Sequence, residues 1–144
     1  MGNPDFLHRQ PPALGKRVHR LGLATSHGID EDSPIDLFML RYNAAHPGAE
    51  RDVFPHLARR SPAVVACTAT SWRKLLRAPR GWTGPVPNAG DCYRSCLSSP
   101  HVDVVLTSPA NRARLGEDLR SLGRGPLPAE EMSAMRAFGG PVHG

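Results

Sequence analysis

Four short apolar segments along the chain predict β-strands. They comprise residues 17–25, 35–42, 63–70 and 101–108. The third and fourth are nearly continuous apolar runs, which is typical of strands that are buried on both faces, as in parallel sheets. Segments with helical spacing separate the later strands, so strands and helices alternate along most of the chain.

Helical spacing occurs in five segments, which are residues 49–60, 71–78, 91–99, 108–123 and 128–139. Pro55 must lie in the first turns of the first helix or kink it. In the fourth helix, Ser108 is placed to cap the N-terminus, Pro109 to occupy the first helical position and Gly123 to end the helix. The fifth helix is predicted to end at Gly139.

The order of these elements predicts an α/β fold with a parallel sheet built from right-handed βαβ units. One connection is unusual, because only residues 26–35 join the first two strands. A parallel crossover usually takes about a dozen residues or more and contains a helix, so that crossover helix is predicted to be missing. Residues 1–16 are expected to form an irregular lead-in and residues 17–144 a single domain.

The composition and charge of the chain bear on whether it binds nucleic acid. The chain has 144 residues and a formal net charge of +5, and arginine supplies nearly all of its basic residues. These residues are scattered and aromatic residues are few, whereas nucleic-acid-binding proteins more often combine a basic stripe with stacking aromatics. We therefore expect a solvated, arginine-rich surface and no nucleic-acid partner, and nucleic-acid binding is the least favoured alternative.

Three cysteines, Cys67, Cys92 and Cys96, form an odd set, which argues against a disulfide framework and favours a reducing compartment. Cys92 and Cys96 would share a helix face, but no second ligand pair is near them in the sequence, so no metal site is predicted. The first residues lack the apolar core of a signal peptide, and no apolar run reaches the length of about 20 residues that a membrane span needs. We expect a cytoplasmic protein without a membrane partner.

The ends of the predicted strands carry the candidate chemistry, because ligands of parallel α/β folds bind at the carboxyl ends of the strands. These ends are small, polar or rich in hydroxyl groups, and they are residues 24–27, 41–43, 68–70 and 107–108. The fourth leads into a helix whose free N–H groups favour a phosphate, with Arg112 and Arg114 in the first turns. A capped surface helix with solvated arginines explains the same residues, so both interpretations stay open.

Four longer segments follow one another in a specific order: GKRVHRLGLATSH (residues 15–27), DLFMLRYNAAHPGAE (36–50), VVACTATSW (64–72) and CYRSCLSSPHVDVVLTSPANRARLGEDLRSL (92–122). Together they resemble consecutive parts of the aldo-keto reductases, a family that folds as a (β/α)8 barrel and reduces carbonyl groups with NADPH. The resemblance covers roughly residues 15–143. It implies that the four strands correspond to barrel strands five to eight. The expected fold class is therefore α/β, a half TIM barrel with four parallel strands and flanking helices.

The resemblance implies a cofactor site but no catalytic site. In the family, the helix after the last barrel strand binds the adenosine 2′-phosphate and the adenine of NADP(H). Four residues occupy matching positions here, namely Ser108, Asn111, Arg114 and Asp118. Arg114 would pair with the 2′-phosphate, and Asp118 stands where the family often has Asn at the adenine. The family's catalytic Asp, Tyr, Lys and His come from the first half of the barrel, which nothing in this chain matches, so no catalytic residue is predicted.

Two main function classes follow from these inferences. The favoured one is a truncated or split NADP(H)-dependent protein like the aldo-keto reductases, inactive as an isolated chain. The alternative is a non-catalytic interaction module, because an open half barrel exposes strand edges and an apolar inner face that a closed barrel would hide. In both cases the expected partner is a second copy of the chain or a complementary half-barrel chain.

Overall fold

The computed structural model describes residues 23–24, 37–57 and 62–143. Its strands are β1 (Leu23–Ala24), β2 (Leu37–Arg41), β3 (Ala63–Cys67) and β4 (Val104–Val105). β2, β3 and β4 form a parallel sheet, which confirms the predicted α/β class, and β1 adds a two-residue parallel pairing to β2. The predicted irregular lead-in (residues 1–16) and the predicted missing crossover helix (residues 26–35) lie outside the described residues.

The pairing of β4 is shorter than the strand that the apolar run 101–108 predicts. Val64 donates its backbone N–H to the Asp103 carboxylate at 2.9 Å, where a regular ladder would use a backbone carbonyl. The backbone still follows β3 on both sides of β4, because Asp103 N–H donates to the Val64 carbonyl and Leu106 N–H to the Ala66 carbonyl. The side chain of Asp103 therefore replaces one rung of the ladder and shortens the regular strand.

The helices are α1 (Ala49–Asp52), α2 (Ala89–Leu97), α3 (Arg112–Leu122) and α4 (Ala129–His143), with single 3₁₀ turns at Phe54–His56 and Lys74–Leu76. The first predicted helix, 49–60, is wrong in length, because α1 ends at Asp52 and Pro55 lies in the 3₁₀ turn that follows. Proline has no N–H to donate, and its ring clashes with the carbonyl four residues earlier. A helix that began at Ala49 could not continue through it.

The helix predicted for residues 71–78 is also wrong. Only the 3₁₀ turn Lys74–Leu76 forms there, because the three residues before it have left-handed backbones, with φ of 48° at Ser71, 52° at Trp72 and 70° at Arg73. A right-handed helix cannot start from such residues. One of the apolar side chains that predicted this helix is nevertheless fully buried, namely that of Leu75.

The termini of the last two helices differ from the predictions in two places. Asn111, not Ser108, caps α3, since its side chain accepts a hydrogen bond from the Arg114 N–H at 3.0 Å. Asparagine caps as well as serine does, so the helix begins three residues later, whereas the predicted end at Gly123 is confirmed. α4 does not stop at Gly139 but continues to His143. Gly139 is a packing position and not a helix end, because it lies directly on the backbone of Ala44, where only glycine fits.

Two apolar clusters hold these elements together. The sheet core lies between one face of the sheet, the segment after β2 and one side of α2, and includes Phe38, Leu40, Phe54, Val64, Ala66, Tyr93 and Cys96. The helix core lies under α4 and includes Ala45, Leu75, Cys92, Leu127, Met135, Phe138 and Val142. Helix α2 contributes to both, so it links the sheet to α4.

Candidate functional site

The carboxyl ends of β2, β3 and β4 lie on one edge of the sheet, because the three strands are parallel. We call the residues that follow these ends the rim, comprising residues 41–46, 68–74 and 106–114. In register, Arg41 of β2 lies beside Cys67 of β3. Both side chains point away from the sheet core, as do those of Met39 and Val65, the pair two residues earlier on the same two strands. The rim therefore opens on the face of the sheet opposite the core.

Asn43 fixes the first part of the rim from a buried position. Its Nδ2 donates to the Thr68 carbonyl at 2.8 Å, and its Oδ1 accepts from the N–H groups of Ala45 and His46 at 2.9 and 3.0 Å. One side chain thus closes the turn after β2 and joins it to the loop after β3. Because every polar atom of this buried amide is used, the two rim segments keep a fixed relative position.

Tyr42 lies in the first rim segment, but its side chain is buried in the sheet core. Its hydroxyl donates to Glu50 Oε1 at 2.7 Å, and its ring packs edge-on against Phe54. Burial, together with the nearby Glu50 carboxylate, raises the pKa of Tyr42 well above its usual value. The hydroxyl of Tyr93, the other tyrosine, is hydrogen-bonded to Thr107 Oγ1 at 2.8 Å, and burial raises the pKa of Tyr93 as well. Neither phenol is placed to give a proton to a ligand at the rim.

Residues 68–74, which we call the β3 loop, have an unusual backbone. Thr68, Ser71, Trp72 and Arg73 all have positive φ, between 48° and 70°. Each such residue costs on the order of 1 kcal/mol or more, and strain of this kind collects at functional sites. Ser71 is fully buried, and its hydroxyl has no hydrogen-bond partner among the described residues. The sequence interpretation missed this loop, because its apolar spacing favours a helix.

Cations surround the β3 loop. The Arg41 guanidinium lies over the ring of Trp72, with its central carbon 4.8 Å from the ring centroid. Arg73 and Lys74 are exposed on the same loop. Burial lowers the pKa of His46, and Arg41, His143 and Lys74 lower it further, so these cations all act on one small region. This part of the rim suits an anionic ligand.

The second cationic part of the rim is the start of α3. The side chain of Asn111 satisfies the N–H of Arg114, while Ser108, Arg112 and Arg114 are exposed. The remaining N–H groups of the first turn and the positive end of the helix dipole favour an anion there. Ser108, Asn111 and Arg114 thus lie around one helix N-terminus, and their contact with a cofactor stays a prediction.

Asp118 lies one helical turn beyond Arg114 on α3. It is buried, its Oδ2 accepts from Thr107 Oγ1 at 3.4 Å, and burial raises the pKa of its carboxyl. It also lines a cleft of about 360 Å³ between α3 and the start of α2, together with Asn88, Gly90 and Ser121. An adenine in that cleft could reach Asp118.

The three cysteines are free thiols. Cys92 and Cys96 are buried, and burial raises the pKa of Cys92 to about 12 and that of Cys96 further. Within residues 23–24, 37–57 and 62–143, no three His, Cys, Asp or Glu side chains converge as metal ligands would. Among the same residues, the helices are all too short or too polar to cross a lipid bilayer.

Comparison with known proteins finds a similar fold among solved structures. No protein-family model matches the sequence, and no curated protein matches it. Among solved structures, the chain is similar to an aldo-keto reductase from Bacillus halodurans, in its holo and apo forms, each with a TM-score of 0.59 and 17% sequence identity. Each match covers 75% of this chain and 44% of the reductase, so the chain spans less than half the length of that protein.

At 17% identity the similarity shows the fold alone. It confirms that the described part of the chain folds like part of an aldo-keto reductase, as the resemblance of the sequence predicts. The assignment to barrel strands five to eight stays a prediction, and so does the half-barrel architecture.

Proposed function

We propose that this chain is the NADP(H)-binding part of a protein like the aldo-keto reductases and is not catalytic on its own. The observation that carries the proposal is the cationic start of α3, where Arg112 and Arg114 are exposed beside a helix N-terminus. That helix follows a strand of a parallel sheet whose fold resembles an aldo-keto reductase. Guanidinium groups and free backbone N–H groups are the usual partners of a phosphate.

The residues at the rim fit the phosphates of a dinucleotide better than they fit its adenine. Arg114 would bind the 2′-phosphate, with Ser108 beside it, while Asn111 holds the first turn of α3 in place. Asp118 would meet the adenine in the cleft between α2 and α3. When bound, NADP(H) supplies a hydride; the part of this chain is to bind and orient the dinucleotide along the rim.

Neither tyrosine of the chain is placed to act as the general acid of a carbonyl reduction. Carbonyl reduction needs a group that gives a proton to the carbonyl oxygen. The chain has two tyrosines, Tyr42 and Tyr93, and both are buried with hydrogen-bonded hydroxyls. We therefore propose that a complementary half, on another chain or on a further part of the same polypeptide, supplies the catalytic groups.

The discrimination between NADPH and NADH tests the proposal, since the two differ only in the 2′-phosphate. We expect the 144-residue chain to bind NADPH more tightly than NADH, as measured by isothermal titration calorimetry. Arg114→Gln should weaken NADPH binding about tenfold or more, which is what a charge-assisted hydrogen bond contributes, and leave NADH binding unchanged.

Arg80→Gln is the matched control, because Arg80 is exposed and lies neither at the start of α3 nor among the residues that line the cleft beside Asp118. Its NADPH affinity should equal that of the parent chain. Equal affinity of the parent chain for NADPH and NADH, or binding of neither, would contradict the proposal.

The second candidate function is an interaction module that associates through the sheet face opposite the core. Met39 and Leu106 lie on that face and are 39% and 44% exposed. Both faces of a parallel sheet are normally covered, so this face favours a second copy of the chain or a complementary half barrel.

Multi-angle light scattering over a range of concentrations tests that candidate. The parent chain should form dimers, and Met39→Glu with Leu106→Glu should shift them to monomers. Leu119→Glu is the control, because Leu119 is even more exposed, at 55%, but lies on helix α3 and not on the sheet. A compact monomer at all concentrations, unchanged by a first-half reductase chain, would rule this candidate out.

A further inference from the structure

Another cleft lies between helix α4 and the loop that precedes α2, and we call it the α4 cleft. Its volume of about 490 Å³ is within the range of small-molecule sites. Among the described residues, its lining contains none of the rim and shares only Arg124 with the cleft beside Asp118. The α4 cleft is therefore separate from the surface to which we assign NADP(H).

Trp82 forms one wall of the α4 cleft and is fixed by its own loop. Its backbone N–H donates to the Pro79 carbonyl at 3.0 Å, and its indole N–H donates to the Pro85 carbonyl at 3.1 Å. The ring packs edge-on against Phe138, with 5.1 Å between the ring centroids. Gly84 lies so close to the ring that a Cβ atom added there would be 3.1 Å from it. Because these contacts hold the indole in place, this wall is formed before any ligand binds.

The opposite wall of the cleft is a face of α4 that carries small residues. Ala134 and Ala137 are exposed on this face, so the helix leaves a space that longer side chains would fill. Leu127 and Met135 also line the cleft, and both are buried as members of the helix core. Together with Trp82, these residues give the cleft an apolar interior that suits the hydrocarbon part of a ligand.

The charged groups that line the cleft are two carboxylates and one guanidinium. Asp91 lies in the first turn of α2, and Glu131 lies in the first turn of α4. Arg124 reaches both, with its nitrogen atoms 3.5 Å from Asp91 Oδ1 and 3.8 Å from Glu131 Oε2, and its side chain is 53% exposed. Exposed ion pairs at such distances contribute little to stability. A ligand cation that enters the cleft can therefore displace Arg124.

Arg94 contacts the same two carboxylates from the buried side. It lies 3.5 Å from Asp91 and 3.2 Å from Glu131, is only 2% exposed and does not line the cleft. Arg94 therefore stays in place whether or not a ligand is bound, and it fixes both carboxylates at the end of the cleft. A cationic group would meet these carboxylates favourably, whereas an anionic group would be repelled by them.

We propose that the α4 cleft binds a hydrophobic amine, with its hydrocarbon body between Trp82 and α4 and its ammonium group between Asp91 and Glu131, in the place of Arg124. An ammonium group is compact and carries three N–H donors, so it can contact both carboxylates. The proposal goes beyond the proposed function and does not depend on it, because the cleft shares no residue with the start of α3.

Fluorescence of Trp82 tests the site directly. In the Trp72→Phe chain Trp82 is the only tryptophan, and its emission is titrated with 4-phenylbutylamine. Two compounds with the same hydrocarbon body are the controls, namely the uncharged 4-phenylbutan-1-ol and the anionic 4-phenylbutanoate. The amine should bind about tenfold more tightly than either, which is what a charge-assisted hydrogen bond contributes. Equal affinity for the amine and the alcohol, tighter binding of the carboxylate, or no binding of the amine would overturn the proposal.

Substitutions on α4, measured by calorimetry, locate the ligand. Ala134→Leu should weaken amine binding about tenfold or more, because it fills the cleft. Ser133→Leu adds the same side chain at the exposed neighbouring position outside the cleft and should have no effect. Glu131→Gln should also weaken binding about tenfold, because it keeps the shape of the side chain and removes its charge. Glu130→Gln is its control, since Glu130 is exposed but does not line the cleft. Parent affinity in both Ala134→Leu and Glu131→Gln would refute the site.

Arg124→Ala distinguishes a cationic ligand from an anionic one by the sign of its effect. Loss of the competing guanidinium should tighten amine binding about threefold, which corresponds to the contribution of an exposed ion pair. Arg120→Ala is the matched control, because Arg120 is an exposed arginine that lines the cleft beside Asp118 but not the α4 cleft. Unchanged or weaker amine binding in Arg124→Ala would contradict the displacement of Arg124. The response of NADPH binding to Arg114→Gln is a separate measurement, so either proposal can fail while the other stands.

Discussion

Asn43 illustrates how single residues position the rim. The partners of its amide are the Thr68 carbonyl, 25 positions away, and the N–H groups of Ala45 and His46 nearby. In the sequence, Asn43 is a polar residue at a strand end, which predicts a place near the rim. Its long-range partner could not be predicted, because the pairing depends on how β2 and β3 align.

Asp118→Asn should raise the free energy of unfolding at neutral pH. Burial raises the pKa of the Asp118 carboxyl in the folded chain, so the folded chain binds more protons than the unfolded chain between the two pKa values. The stability that this group contributes is therefore present below the unfolded pKa and is lost as the pH rises through the folded pKa. Asparagine can still accept the hydrogen bond from Thr107 but never becomes charged.

Urea denaturation from about pH 3 to pH 8 would measure this effect, since the range spans ordinary and raised carboxyl pKa values. The decline in stability with rising pH should be smaller in Asp118→Asn than in the parent chain. Glu130→Gln is the control, because Glu130 is an exposed carboxylate on a different helix, α4, and its replacement should leave the decline intact. An unchanged decline in Asp118→Asn would contradict the prediction.

At the scale of the element, periodicity predicted the parallel strands and α3 more faithfully than the short helices. Leu75 is buried as a helix at 71–78 would require, but a single 3₁₀ turn buries it equally well. Apolar spacing over so few residues cannot distinguish the two. The same ambiguity hid the β3 loop, and with it Trp72. A strand followed by a capped helix is a longer and more specific pattern, and it placed Arg114 near the start of α3, where the structure has it.

Two adjacent glycines of α4 should respond differently to alanine. A methyl group at Gly139 would overlap the carbonyl oxygen of Ala44, whereas at Gly140 it would meet no atom beyond the helix itself and the neighbouring Pro141. Gly139→Ala should therefore destabilise the chain by about 1–3 kcal/mol, as overpacking does. Gly140→Ala should change the stability by less than about 1 kcal/mol, because the helix propensity of alanine is opposed by contact between its methyl group and the ring of the following proline. Thermal unfolding of both variants measures the difference, and equal losses would show that α4 does not pack closely on Ala44.

At the scale of the whole molecule, the sheet core and the helix core depend on one charged side chain. Arg94 of α2 is only 2% exposed. Its Nε donates to the Gly125 carbonyl at 2.8 Å, its Nη2 to the Pro126 carbonyl and its Nη1 to Glu131, each at 3.2 Å. It thus fastens the connection between α3 and α4 to the helix that both cores share, so the cores should unfold together.

Arg94→Ala should weaken that coupling as well as the total stability. Two carbonyls that accept hydrogen bonds from Arg94 would lose them, so the free energy of unfolding should fall by about 3 kcal/mol. Arg124→Ala is the matched control, because Arg124 contacts the same Asp91 and Glu131 carboxylates but is 53% exposed, with distances of 3.5 and 3.8 Å. An exposed pair of this kind contributes less than about 1 kcal/mol.

In a Trp72→Phe background, fluorescence reports on Trp82, which packs on Phe138 in the helix core, and circular dichroism reports on the whole chain. The two urea transitions should coincide in the parent and in Arg124→Ala but separate in Arg94→Ala; coincident transitions in Arg94→Ala would show that contacts other than Arg94 couple the two cores.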